Sequence, residues 1–322
     1  MNNKFDVIIV GAGPIGLACG IECVKNNLPH LIIEKGPIVN SIFNYPTNMN
    51  FFSTSERLEI GEVPFISHGV KPNRTEALEY YRRVKQSWEL NVNTYERVLS
   101  IEGENNNFLI TTSKNKYYSK KNIIAIGFYD QANKLNIAGE DLKKVKHYYD
   151  EPHAYVDQNI LIIGGGNSAV DVALETYRYG AKAVTMAIRK SSLEDNVKYW
   201  VKPDIENRIK EGAIKAYFNS EVLEIKEDCV RIKTEFGIRE IENDFVLAMT
   251  GYHPDFEFLK SCGLNFVDDK TKEPVSDDVT FESNVKGIYL AGVVCCGIDT
   301  GKWFIENSRY HAVNIIEDIL GK

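Results

Sequence analysis

The chain has 322 residues, 43% of them hydrophobic and 26% charged, and a formal net charge of -7. That length is comfortable for two domains, and the balance is that of an ordinary globular protein without a disordered acidic or basic arm. A net acidic chain lacks the concentrated Lys and Arg surplus that neutralises phosphates, so no nucleic-acid partner is expected. No apolar run approaches the roughly 18 residues that cross a bilayer, and the first strand leaves no room for a leader after Met1, so the expectation is a cytoplasmic protein without a membrane partner. Its cysteines (Cys19, Cys23, Cys229, Cys262, Cys295, Cys296) show neither a disulfide framework nor C-x-x-C pairs, and are expected as reduced thiols with no metal site.

The run Phe5-Asp6-Val7-Ile8-Ile9-Val10 predicts a buried strand, followed by Gly11-x-Gly13-x-x-Gly16 and the apolar-periodic segment Leu17, Ala18, Ile21, Val24. Strand, glycine loop and helix in that order form a dinucleotide fingerprint. The glycines allow a tight turn, a close approach of backbone to a pyrophosphate, and contact of helix with strand. The helix N-terminus offers unpaired N–H groups to phosphate. A second strand, His30-Leu31-Ile32-Ile33, ends at Glu34, about 20 residues after the glycines, where a carboxylate can accept ribose hydroxyls.

Thr75 to Glu89 carries a helical pattern with Leu78, Tyr81, Val84 and Trp88 on one side. Tyr95 to Thr112 predicts a hairpin around residues 103–107, and Asn122 to Gly127 another buried strand ending in glycine. The strand-loop-helix order then recurs: Asn159 to Ile163, Gly164-Gly165-Gly166-Asn167-Ser168-Ala169 in the G-x-G-x-x-A form, and a helical run from Val170 to Tyr179. The following strand, Ala183 to Ile188, ends in Arg189-Lys190 rather than an acid. A guanidinium there can pair with a 2′-phosphate that a carboxylate would repel, which favours NADPH over NADH. Further on come a helix near Pro203 to Glu211, strands near Ala216, Glu221 to Ile225, Val230 to Thr234 and Phe245 to Ala248, a strand Gly287 to Ala291, and a final helix from about Lys302 to Leu320. Two different nucleotide sites in one chain imply a relay, with FAD at the acid-ended loop receiving hydride from a nicotinamide at the other.

The expected fold is α/β, with two Rossmann-like dinucleotide-binding domains of the three-layer ββα type. Residues 1–128 and 250–322 form an FAD domain and residues 129–249 an inserted NADPH domain. Paired fingerprints joined by Ala125-Ile126-Gly127 and by Met249-Thr250-Gly251-Tyr252-His253-Pro254 resemble the low-molecular-weight thioredoxin reductase superfamily. Four longer stretches are more specific: YPTNMNFFSTSERLEIGEVPF at 45–65, AGEDLKKVKHYYDEPHAY at 138–155, KYWVKPD at 198–204 and FIENSRYHA at 304–312. With them the chain resembles the bacillithiol-disulfide reductases, thioredoxin-reductase-like flavoproteins that use NADPH.

The resemblance implies FAD contacts at Gly11, Gly13, Pro14, Ile15, Gly16, Glu34, Lys35, Phe52, Gly127, Gly292, Phe304 and Ile305, with the turn around Trp303 aiming amides at the flavin. It implies NADPH contacts at Gly164, Gly166, Asn167, Ser168, Ala169, Arg189 and Lys190. It also implies a homodimer or larger homo-oligomer and reduction of a small disulfide, with bacillithiol disulfide the candidate.

The sequence departs from its relatives at the thiols. No C-x-x-C stands in the inserted domain and no C-x4-C lies in residues 36–52. The relatives' fingerprint cysteine, in G-x-G-P-C-G, is Ile15 here, and thiol exchange requires a thiolate. An Asp that often follows the Ala-Gly pair near the flavin is Val293. Cys19 and Cys23 read as small core residues on the first fingerprint helix. Cys295-Cys296, beside the expected flavin turn, is the remaining candidate for a catalytic thiol pair, against a reading as two small fillers. His311 reads as a structural histidine.

Two other functions stay open: electron transfer like the ferredoxin/flavodoxin–NADP reductases, which need no thiol, and a slow-turnover flavin- and NADPH-binding redox sensor. Flavin monooxygenases fit poorly, because Lys143 stands where F-x-G-x-x-x-H requires glycine before His147.

Overall fold

The computed structural model describes residues 3–321. They divide into two compact units, one of residues up to 131 and from 252 onward, the other of residues 132–251.

In the first unit a sheet runs Val92–Asn93, His30–Ile33, Lys4–Val10, Lys116–Ile124, Asn107–Thr112, Val98–Glu104. The central strand Lys4–Val10 is parallel to both neighbours. Val7, Ile8 and Ile9 are all fully buried, which is why the strand reads as a continuous apolar run: helices and loops cover both faces of a parallel sheet. The hairpin pairs Glu104 with Asn107, and Asn106 takes the left-handed conformation that its turn needs. Strand Lys116–Ile124 is shared along its length. Its first half pairs antiparallel with Asn107–Thr112 and its last residues pair parallel with Ile288–Leu290. The ends of Val10, Ile124 and Leu290 therefore lie side by side, at the carboxyl edge of a parallel sheet where ligands of α/β proteins bind.

Helix Arg74–Ser87 starts with a reciprocal cap: the Glu76 N–H donates to Asn73 Oδ1 at 2.9 Å and the Asn73 N–H to Glu76 Oε2 at 2.8 Å. Its buried residues are Ala77, Tyr80, Tyr81 and Val84, and the expected Leu78 and Trp88 are partly buried against the same core. Burial of Tyr80 is tolerated because its hydroxyl accepts from the Ile60 N–H at 2.8 Å and donates to Val63 O at 3.0 Å.

The expected single C-terminal helix is two, Ile305–Ser308 and His311–Leu320. The Ser308 hydroxyl donates to Phe304 O at 2.5 Å and the Arg309 guanidinium to Glu59 O at 2.7 Å. A serine bonding back to the carbonyl one turn earlier bends a helix, and the arginine's tie to a distant loop fixes the bend.

The second unit carries an all-parallel sheet in the order Lys215–Tyr217, Ala183–Ala187, Asn159–Ile163, Phe245–Ala248, Val145–Lys146. Helix Asn167–Arg178 packs Ala169, Val170, Ala173 and Leu174 into its core. A three-stranded antiparallel sheet, Glu221–Ile225, Cys229–Thr234 and Gly237–Glu242, completes the unit.

Candidate functional site

The first glycine loop joins the central strand to helix Pro14–Lys25. Gly11 has φ +106°, and a Cβ there would lie 2.5 Å from Ala125 O. A Cβ on Gly16 would sit 1.9 Å from Gly11 O, so any side chain at 16 breaks the turn. A Cβ on Gly13 would meet nothing within 4 Å. An open glycine between two crowded ones is a cradle whose free side faces outward, at the first turn of a helix whose N–H groups favour an anion.

Glu34 completes the loop from the next strand. Its Oε2 accepts the Ala12 N–H at 2.7 Å and its Oε1 the Gly36 N–H at 3.0 Å. Burial raises its pKa, and the two N–H donors pull the other way. Each oxygen keeps a lone pair for a ribose hydroxyl, so the residues fit the adenosine end of a dinucleotide.

Other expected residues sort differently. Lys35 is ion-paired with Asp130. Gly127 has φ +69° just past the strand end. Phe51 is buried, whereas Phe52 is 53% exposed with the Lys71 ammonium 5.0 Å over its ring. Phe304 is exposed and its N–H is taken by Asn307 Oδ1 at 2.6 Å. The Phe304 N–H is thus engaged within its own turn, and four residues of helix carry little dipole.

Gly292 begins the short 3₁₀ turn Gly292–Cys296 at φ +85°, and a Cβ on it would lie 3.2 Å from the Ile15 side chain. Ile15 thus packs under that turn. The Gly292 N–H donates to His311 Nδ1 at 3.2 Å, with the Cys295 Sγ 4.0 Å from the same nitrogen. Sequence reasoning missed this contact, because nothing local to His311 marks the strand register that brings it there.

The six cysteines are all free and buried. Burial pushes the Cys295 thiol far up and Cys296 up to about 11. A thiol in that range is protonated at neutral pH, and protonated thiols do not attack disulfides. The structure gives the exchange role expected of Cys295 and Cys296 no support. Cys19 and Cys23 are likewise buried, with raised pKa values caused by desolvation.

The second glycine loop repeats the first. Gly164 has φ +135° and a Cβ there would lie 2.5 Å from Met249 O, while Ala169 is fully buried against it. Arg189 is exposed at the end of its strand. Lys190 is engaged with Glu194 at 3.1 Å. Asn167 is held by the segment that follows, its Nδ2 donating to Asn196 O at 2.9 Å and its Oδ1 accepting the Lys198 N–H at 2.9 Å. Neither Glu194 nor this tether was expected, since no motif places an acid there.

The pyridine nucleotide-disulphide oxidoreductase family matches residues 8–292. The chain belongs to that family. Bacilliredoxin reductase Bdr of Bacillus subtilis is 43% identical over 314 residues, 97% of this chain and 96% of the relative. The solved bacillithiol disulfide reductase Bdr (YpdA) of Staphylococcus aureus superposes with a TM-score of 0.96 at 43% identity, covering 100% of this chain and 99% of its own. A ferredoxin–NADP reductase of Ignicoccus hospitalis is 27% identical over 299 residues, 89% of each chain. As a pyridine nucleotide-disulphide oxidoreductase the protein is an NADPH-dependent FAD enzyme with the expected thioredoxin-reductase-like α/β fold. Among the described residues no helix is long and apolar enough to cross a membrane.

Proposed function

We propose that the protein is a two-cofactor reductase that passes reducing equivalents from NADPH through FAD to the disulfide of a low-molecular-weight thiol, bacillithiol disulfide being the first acceptor to test. The first unit is the FAD domain: Gly11, Gly13, Pro14, Ile15 and Gly16 hold the pyrophosphate, and Glu34 takes the ribose. Phe52, Gly127 and Gly292 border the flavin, and Phe304 and Ile305 its far side. The second unit is the NADPH domain, with Gly164, Gly166, Asn167, Ser168 and Ala169 at the phosphates and Arg189 at the 2′-phosphate.

Bound flavin supplies a carrier that accepts hydride from a nicotinamide and gives up electrons to an acceptor. The chain's own residues bind and orient. Gly13 leaves the cradle open, Glu34 fixes the ribose, and Ile15 closes the floor beneath Gly292 at the position where the sequence resemblance implies a cysteine. The observation that carries the reading is the open Gly13 between two backbone-crowded glycines, at full-length likeness to reductases of bacilliredoxin and bacillithiol disulfide. Work in a reducing cytoplasm and a homo-oligomeric state belong to the same reading.

The test is anaerobic. The yellow protein is reduced with NADPH, bacillithiol disulfide is added, and the return of the oxidised flavin spectrum is followed. Prompt reoxidation supports the proposal. A second reading, electron transfer of the ferredoxin–NADP reductase kind, is favoured by Ile15 and by the protonated Cys295 and Cys296. Persistent reduced flavin with the disulfide, and reoxidation by ferredoxin, would select it.

A further inference from the structure

A carboxylate stands at the second glycine loop. Residues 191–200 fold back over it as a strap, pinned by the buried side chains of Leu193 and Val197. Between those anchors the Glu194 N–H donates to Gly165 O at 3.0 Å. Its Oε1 lies 3.1 Å from Lys190 Nζ, and its Oε2 would be 3.0 Å from a Cβ on Gly166. The strap is tied to the loop a second time through Asn167, which bonds Asn196 and Lys198. The Lys198 ammonium meets Asp171 of the fingerprint helix at 2.6 Å.

At the matching place in the first loop a Gly13 Cβ meets nothing within 4 Å. The two loops thus share their backbone logic and differ in what faces them. In the second, the partial positive charge of the helix start and the Lys190 ammonium already have an anion beside them. A dinucleotide's phosphates carry the same sign and need the same ground.

We propose that Glu194 is the resident anion of the second glycine loop, a self-occluding carboxylate that the phosphates of an incoming nucleotide displace and that thereby sets NADPH affinity. The proposal rests on the reading of this loop as the NADPH site. With Leu193 and Val197 buried, the strap backbone stays in place and a rotation of the Glu194 side chain opens the loop. That rotation frees Lys190 from its partner and leaves it to pair with phosphate. Glu194 is half-exposed, so the rotation exchanges one ion pair for hydration and is cheap. Specificity follows as well: nucleotides with more phosphate charge recover more by releasing Lys190, whereas Arg189 reads the 2′-phosphate directly.

The experiment is calorimetric titration of the flavin-loaded protein with NADP+, which binds without turnover. Glu194→Gln keeps the side-chain shape and removes the charge, and should tighten NADP+ roughly tenfold at low salt. That gain should shrink in about 1 M salt, where screening acts within about 3 Å. Unchanged or weaker binding by Glu194→Gln, with Arg189→Ala still weakening it, would overturn the proposal and leave the site reading intact. If Arg189→Ala binds NADP+ as the parent does, the nucleotide lies elsewhere and the site reading itself is overturned.

Discussion

His311 gives the sharpest quantitative expectation. Its ring is stacked 3.8 Å from Phe281 and edge-on to Trp303 at 4.6 Å, it is 1% exposed, and its Nδ1 accepts the Gly292 N–H. A nitrogen that accepts carries no proton, so the neutral tautomer bears its hydrogen on Nε2, which has no hydrogen-bond partner among the described residues. Burial lowers its pKa from 6.5 to about 4. As pH falls below 6.5 the unfolded chain takes up a proton that the folded chain refuses until about 4. The contribution of neutral His311 is therefore fully present above 6.5 and is lost as pH falls toward 4, at about 1.4 kcal/mol per pH unit, or about 3 kcal/mol over the window. His311→Asn can keep an oxygen near the Nδ1 position for Gly292 and does not titrate. It should cost about 1–3 kcal/mol at neutral pH through lost ring volume. Urea unfolding of both proteins between about pH 7 and about pH 4.5 should then show the stability gap closing by about 2–3 kcal/mol. His30 and His147, also lowered by burial, are common to both proteins and cancel in the difference. A gap that stays constant with pH would refute the assignment of a buried neutral imidazole.

Gly16→Ala places a methyl 1.9 Å from Gly11 O and should yield a misfolded or colourless protein, whereas Gly13→Ala, with nothing within 4 Å, should fold with parental circular dichroism and lose its flavin. A Gly13→Ala protein that purifies yellow would place the cofactor off this loop. The Cys295→Ser, Cys296→Ser double variant should turn over within about twofold of the parent because both thiols are protonated at neutral pH, and a loss beyond about tenfold would restore them as the exchanging pair. Arg189→Ala should raise KM for NADPH by about 10–100-fold and leave KM for NADH nearly unchanged, since only the former carries a 2′-phosphate. Equal losses with both nucleotides would assign that phosphate to another cation.

The α/β class, the two glycine turns and the buried acid beside the first of them were legible in the sequence because each is set within a short stretch of chain: an apolar strand, glycines at fixed spacing, a helix, and an acid at the next strand end. Glycine at 11, 16 and 164 is demanded by positive φ or by backbone closer than a side chain allows, and a local turn writes such demands locally. The full-length resemblance was legible for the same reason, carried by contiguous stretches.

The break after Ser308, the full burial of Tyr80 and the approach of Cys295 to His311 were not, since each follows from packing against segments distant in the chain. Periodicity near Lys302 to Leu320 supports one helix; the Ser308 back-bond and the tie from Arg309 to Glu59 O make it two. Composition fixed neither the 4.0 Å approach of Cys295 to His311 nor the seat of Ile15 beneath Gly292. Local geometry writes the two glycine loops into the sequence, while the side chains set against them, Glu194 at one and Ile15 at the other, are chosen by contacts that exist only once the sheets have formed.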